Sequence, residues 1–469
     1  MSSSLTRRAF LGSSLAVGAA GAMPAWASRG RSPNEAFRVA VVGTRGRGMA
    51  HVGEFSRMKN VEIVALVDVD ENVVGPAVKT VEKATGRKPT IYKDFRKMLE
   101  DKSIDAVSVA TCNHTHTFVS ILSVIAGKHV YVEKPLSHYV WEGRKLVEAA
   151  RKYKRIVQHG TQSRSGSGYR RTAAFLASGK LGKISISRGL CYKRRKSIGK
   201  MPDGTPPAGV DYDLWLGPAP YRPFNPNRFH YNWHWQWDTG NGDIGNQGVH
   251  EFDKARWFLG RELPVKVVSI GGRFGYEDDG ETPNTQIAVL DYGDALMIFE
   301  VRGLETDKYM GQAIGNIVHC ENGHVAGTSA FDKEGKPVKM EAEDDGRAGN
   351  HFENFVAAAR AGKHEMLNAD VLEGHLSSAL GHLANISYRL GTPQPLSKND
   401  PFAYEAGNEA FHRMREHLKA NGVDPEKTQL TVGRALAFDP KTETFAGDEE
   451  ANAMLRRKDR EPFVIPENP

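Results

Sequence analysis

At 469 residues the chain is longer than the ~250–300 residues that one hydrophobic core organises, so two domains are expected. With 40% hydrophobic and 25% charged residues it has the composition of a globular protein, and a formal charge of +7 spread over this length does not make a nucleic-acid footprint. Basic runs such as Lys193-Arg194-Arg195-Lys196 read as solvated loop, and three widely spaced cysteines (Cys112, Cys191, Cys320) offer neither a disulfide framework nor a C-x-x-C metal pair.

The N-terminus reads as an address. Arg7-Arg8 precedes an apolar run from Ala9 to about Ala22, which ends at Ala25-Trp26-Ala27, a small-x-small cleavage pattern. The run is shorter than the ~20 residues of a membrane-spanning helix. Residues 1–27 are therefore expected to be a twin-arginine signal for export of the folded protein to the periplasm, with no membrane span.

Short apolar strands alternating with helices follow. Strands are predicted at 37–42, 61–68, 104–110 and 128–132, and helices near 49–58, 72–86, 94–101, 116–127 and 141–153. That order predicts an N-terminal Rossmann-type, doubly wound parallel sheet over 36–155, with ligands at the C-terminal ends of its strands. From 156 to 400 a substrate-binding and oligomerisation domain of α+β type is expected. A helix ending at glycines near 179–182 comes first, then strands at 184–192, 265–274, 285–291, 295–301 and 314–319 in a largely antiparallel open sheet. Gly248 to Phe258, the stretch opening at Asn350, and 369–390 read as helices. The Pro-, Gly- and aromatic-rich insert 194–237 reads as a loop over the site, and 401–469 as an extension wrapping the body or a neighbouring subunit of a homo-oligomer.

Gly43-Thr44-Arg45-Gly46-Arg47-Gly48 lies between the first strand and helix. Gly43 and Gly48 match the first and third positions of G-x-G-x-x-G, with Arg45 where the second glycine stands and Gly46 beside it. Glycines there let the backbone approach a pyrophosphate at a helix N-terminus. Asp68, 20 residues after Gly48, is placed to accept from both ribose hydroxyls, which favours NAD and leaves NADP possible beside Arg45 and Arg47. Thr111–His116 ends a later strand on the nicotinamide side. Asn113 suits the nicotinamide ribose, and His116 either caps the following helix or touches ligand.

Val130-Tyr131-Val132-Glu133-Lys134-Pro135, together with this turn and with Gly245-Asn246-Gln247-Gly248-Val249-His250, resembles the glucose-fructose oxidoreductase/inositol dehydrogenase (Gfo/Idh/MocA) family over roughly residues 36–395. The resemblance implies that Lys134 and His250 sit at the nicotinamide and a sugar. A desolvated lysine exchanges a proton with a carbinol oxygen, and imidazole shuttles protons near neutrality. Glu133 is expected to hydrogen-bond cofactor or backbone. The family's dehydrogenases carry Asp four residues before the histidine; here it is Asn246, an amide that holds a hydroxyl but is no base. Either Lys134 and His250 share the proton work, or Asp243 or another acid enters.

Gln162, Arg164, Tyr192, Trp235 and Asn246 are candidate sugar contacts, with Trp233, His234 and Trp237 nearby, because aromatic faces stack on pyranose rings while Arg, Asn and Gln read hydroxyls. No metal-ligand spacing appears. The expected function is an exported NAD(P)-dependent oxidoreductase acting on a sugar, cyclitol or derivative. An NAD-dependent glycosidase or lyase working through a transient keto-sugar is the alternative, and a non-catalytic sugar- or cofactor-binding protein a third class.

Overall fold

A computed structural model describes residues 36–341, 346–347, 349–397 and 400–469, so the arginine pair and the expected cleavage site lie outside the described residues. The first sheet is parallel throughout. It contains β1 (Phe37–Val42), β2 (Val61–Val67), β3 (Thr90–Tyr92), β4 (Ala106–Val109), β5 (His129–Val132) and β6 (Val157–His159) in the order β3-β2-β1-β4-β5-β6. Strand order reverses between β1 and β4, the switch point where such sheets open a crevice. β6 carries the sheet past residue 155; at three residues, two of them Gln158 and His159, it makes no apolar run. Helices α1 (Arg47–Arg57), α2 (Gly75–Thr85), α3 (Asn113–Ile125) and α4 (Val140–Lys152) cover the faces. Along β1, Phe37, Val39 and Val41 enter one core cluster while Ala40 and Val42 enter the other, so both faces are buried and, Arg38 apart, the strand reads as an apolar run.

After α5 (Ser167–Ala177) comes a second, mixed sheet, in which α6 (Gly248–Leu259) packs. Its central strands are β7 (Ile184–Tyr192), β8 (Lys266–Gly272), β9 (Thr285–Asp291), β10 (Leu296–Arg302) and β11 (Ile314–Cys320), flanked by the short β12 (Gly323–Ala326), β13 (Ser329–Asp332) and β14 (Pro337–Val338). All described pairs are antiparallel except β7 with β10. Then follow α7 (His351–Ala361), α8 (Val371–Arg389), β15 (Thr392–Pro395), α9 (Glu405–Ala420) and β16 (Gln429–Val432), the last pairing with β8 on one side and with the outermost β15 on the other. One face is closed by α6 and α8 through Phe252, Leu259, Leu380 and Leu383. The other is closed by α9 through Phe411, Met414 and Leu418. The segment after 400 thus wraps the chain's own body: it supplies the strands Gln429–Val432, Leu436–Asp439 and Thr444–Phe445 and a core helix, and its Phe463 and Ile465 pack into the first domain.

Residues 194–237 are mostly irregular and dock on the loop after β2. Asp211 N donates to Val69 O at 2.8 Å and Glu71 N to Gly209 O at 3.2 Å. From the other side Arg460 donates to Gly217 O at 3.1 Å and pairs with Asp213 at 2.5 Å, while Phe463 meets Phe118 edge-on at 6.1 Å. The three cysteines are free thiols, Cys191 buried in the second core. Among the described residues no helix is long and apolar enough to cross a membrane, and no three His, Cys, Asp or Glu side chains are grouped to hold a metal.

Candidate active site

A cavity of about 670 Å³ opens at the C-terminal ends of β1, β2, β4 and β5 and runs under the 194–237 segment. Its turn depends on glycine for space. A Cβ on Gly43, at φ +84°, would stand 2.6 Å from Ala110 O, and one on Gly48 would stand 1.8 Å from Gly43 O. Hence the chain crosses the end of β4, and α1 seats directly on the turn, only without side chains there. Gly46, at φ +55°, faces open space, and Arg45 and Arg47 line the cavity beside it. Asp68 lines the same wall and braces the turn. Its Oδ2 accepts from Thr44 N at 2.7 Å and Thr44 Oγ1 at 2.9 Å, and its Oδ1 from Asp70 N at 3.1 Å. Burial raises this carboxyl against those hydrogen bonds. Collision-free glycines, exposed backbone and a carboxylate after β2 fit a dinucleotide. Gly43, Arg45, Gly46, Arg47 and Asp68 would hold it, with Gly48 allowing the close packing behind.

The reacting end is built around Glu133 and Lys134. Glu133 accepts from Arg47 Nε at 2.7 Å and Gln162 Nε2 at 3.1 Å, and lies 3.1 Å from His51 Nε2. Despite burial, which pushes the other way, His51, Arg47 and Lys134 hold this carboxyl well below the usual range. Lys134 Nζ donates to Asn246 O at 2.9 Å and Asn246 Oδ1 at 3.0 Å, and burial lowers its pKa. His250 lines the same end. Burial and the charge on Lys134 push its imidazole down to about 3, so it is neutral at pH 7. Asn113 lines the cavity and donates to Asn241 Oδ1 at 3.1 Å. His116 lines the cavity and does not cap its helix: its nitrogens lie 2.7 Å from Pro135 O and 3.1 Å from Thr111 O, which braces the Lys134 turn.

Three expected sugar contacts are turned away from the cavity. Arg164 Nε donates to both oxygens of Asp253 at 2.9 Å and pairs with Glu373 at 2.8 Å, a buried structural cluster. Tyr192 donates its OH to Glu300 at 2.9 Å on the sheet interior. Trp235 is 6% exposed with the Arg195 guanidinium 5.1 Å from its ring centre. Each is a side chain able to bind a sugar that has found an internal partner instead, supplied by residues distant in sequence. Trp237 likewise packs on Tyr388. Trp233 and His234 do line the cavity, as do Gln162 and Asn246. Asp243 is clamped by Arg195, whose Nε and Nη2 reach its oxygens at 2.7 and 2.6 Å, so it is not a free base.

Several residues that build the site have no motif to announce them. Behind the cavity, the buried His51 bridges Ser108 Oγ at 2.8 Å to Glu133. Lys193 Nζ donates to Gln247 Oε1 at 3.0 Å, and Trp215, Phe229, Tyr231 and Phe463 form an aromatic wall. Lys193 and Arg195 point inward while Arg194 and Lys196 are exposed, so this basic run is not wholly solvated loop. It continues the alternation of β7, a signal that was present in the sequence.

Residues 37–161 match the family model described as oxidoreductase family, NAD-binding Rossmann fold, and residues 183–410 match its C-terminal alpha/beta domain. An alpha-N-acetylgalactosaminidase of Shewanella oneidensis is 32% identical over 120 residues, 25% of this chain and 26% of that protein. The match thus spans about a quarter of the length of such curated relatives. A myo-inositol 2-dehydrogenase of Thermotoga maritima is 25% identical over 256 residues, covering 54% of this chain and 64% of that one. Among solved structures, the WlbA dehydrogenase of Bordetella pertussis in complex with NADH and UDP-GlcNAcA shares the fold at a TM-score of 0.54 and 19% identity, over 74% of this chain and 94% of that chain. With both of its domains matched in order, the chain belongs to the Gfo/Idh/MocA oxidoreductase family.

Proposed function

We propose that this chain is an NAD-dependent oxidoreductase that acts on a ring hydroxyl of a sugar, cyclitol or derivative. The observation that carries the reading is the placement of Lys134, with its lowered pKa, in the same cavity as the glycine turn and Asp68. When bound, the dinucleotide supplies the hydride acceptor. In its amine form, made accessible by the lowered pKa, Lys134 takes the hydroxyl proton as the C–H bond is lost, becoming the ammonium, and returns it in the reverse direction. Asn246 fixes the direction in which Nζ points. His250, neutral and without a ring hydrogen bond among the described residues, is free to accept from a second hydroxyl and orient the ring. The Tyr231 and Trp233 rings that line the cavity give the sugar an apolar face and exclude water.

A second reading is redox-neutral cleavage of a glycoside through transient oxidation. Two observations favour it: an amide, Asn246, beside Lys134 where the family's dehydrogenases carry a carboxylate, and the naming of the Shewanella oneidensis relative as a glycosidase. We also read residues 1–27 as a twin-arginine export signal and the protein as a homo-oligomer of the periplasm. An exported enzyme meets little free NAD, so a retained, recycled cofactor suits that location. NADP remains an alternative cofactor through Arg45 and Arg47.

Native mass spectrometry of the purified protein for co-purifying dinucleotide tests the proposal, followed by a screen of sugars and glycosides. Net NADH formation supports dehydrogenation, and glycoside cleavage without it supports the second reading. A protein that titrates with neither NAD nor NADP would refute both.

A further inference from the structure

We propose that the substrate is an anionic sugar and that Lys193 is the specificity residue that binds its negative group; this rests on the reading of the cavity as a sugar site. Two ammonium groups enter the reacting end. Lys134 is held by the two oxygens of Asn246, and Lys193 by Gln247 Oε1 at 3.0 Å. Asn246 and Gln247 are consecutive residues just before α6, so both ammonium groups hang from one short turn, and each sits in the field of the other.

Neither meets a carboxylate partner among the described residues. The two acids that act on Lys134 are already matched: Glu133 to Arg47 at 2.7 Å, and Asp243 to Arg195 at 2.6 Å. With those pairs cancelled, the reacting end keeps positive charge that the protein does not compensate. Amide oxygens accept hydrogen bonds from the lysines but bring no charge. Holding like charges together in a partly desolvated cavity is unfavourable until a counter-charge arrives. A sugar carrying hydroxyls alone leaves that cost in place, whereas a carboxylate or phosphate on the sugar removes it. Lys193 uses one of its three N–H donors on Gln247, so two are left to meet an anionic oxygen. Lys134, beside His250, is occupied with the reacting hydroxyl. The inward turn of Lys193 is set by the alternation that also turns Arg195 inward and leaves Arg194 and Lys196 exposed.

The test is isothermal titration of the NAD-loaded full chain with D-glucuronate, D-glucose 6-phosphate and D-glucose at fixed ionic strength. At least one acidic probe is expected to bind about ten-fold or more tightly than glucose, the scale of one charge-assisted hydrogen bond. Lys193→Gln should abolish that margin by weakening the acidic probe more than glucose, Lys193→Arg should keep part of it, and added salt should narrow it. The two acidic arms tell carboxylate from phosphate. Equal binding of all three probes, no binding of either acid, or a margin that survives Lys193→Gln would overturn the inference. If a neutral sugar is bound and oxidised with NAD, the proposed function stands and only the anion site falls.

Discussion

Lys134 donates from one Nζ to both the backbone and the side-chain oxygen of Asn246, at 2.9 and 3.0 Å. The amide orients the lysine without a charge that would raise its pKa. Burial therefore keeps the advantage, and the ammonium is easier to deprotonate than an exposed one.

Asn246→Asp should reverse this balance. A carboxylate at the same position favours the ammonium, so the limb of kcat against pH that reports loss of the Lys134 proton should move to higher pH. In a dehydrogenase the change restores the carboxylate usual in the family and tends to raise hydride transfer at high pH; in an enzyme tuned to a neutral amide it lowers turnover. An unshifted limb would place the rate-controlling proton elsewhere.

Lys134→Ala and His250→Ala should each lower turnover by ~10²–10⁴-fold, as for general acid–base and orienting groups. Both variants should still bind NAD, since the turn and Asp68 lie on other loops. With its imidazole pKa at about 3, His250 stays neutral across the working range and contributes no limb near pH 6.5. Near-normal rates in both variants would show that the chemistry is done elsewhere.

Asp68→Ala should weaken NAD by roughly 10- to 100-fold, about 1.5–3 kcal/mol, and narrow its margin over NADP. Thr44 and Asp70 lose a bond in the same change, so Asp68→Asn is the gentler comparison. Titration of both nucleotides measures it, and unaltered NAD affinity in the alanine variant would remove the residue from the site.

Glu443 ties the C-terminal segment to the core: its carboxylate pairs with Arg144 on α4 and accepts from His375 on α8 at 2.9 Å. Against burial, which pushes the other way, those partners lower its pKa to about 2, below the usual carboxylate range. A carboxyl depressed on folding stabilises fully above its unfolded pKa, and that stabilisation fades as pH falls from about 4.5 through about 2. Glu443→Gln should lower Tm at pH 7, and the difference from wild type should shrink across that window. Equal Tm values at pH 7 would contradict the tie.

Changing Arg7 and Arg8 together to lysine should leave full-length precursor in the cytoplasm, because the translocase reads the arginine pair. Cell fractionation decides this, and mature protein still found beyond the membrane would mean that another feature directs it.

Strands such as β1, β4 and β5 were legible because burial on both faces makes them mostly apolar runs, broken by Arg38, Ser108 and His129 alone. β6 was not, because a three-residue strand holding Gln158 and His159 carries no such signal. At the site, Gly43, Asp68, Glu133 and Lys134 could be read because their roles are local: a turn that excludes side chains, and two strand ends. Arg164, Tyr192 and Trp235 could not be assigned in this way. Their side chains suit a sugar and an internal partner equally, and the partners (Asp253 and Glu373, Glu300, and Arg195) are fixed by tertiary packing. His51 was hidden for the same reason, since Glu133 meets it only after α1 folds back over β5.

Trp215 and Phe229 of the 194–237 segment, with Phe463 near the far end of the chain, wall the cavity beside the loop that follows Asp68. The wall therefore joins the insert to the chain's last residues, and Arg460, bonded to Asp213 and Gly217, is the tie between them. A chain without that tail would lack both the tie and the Phe463 ring that lines the cavity.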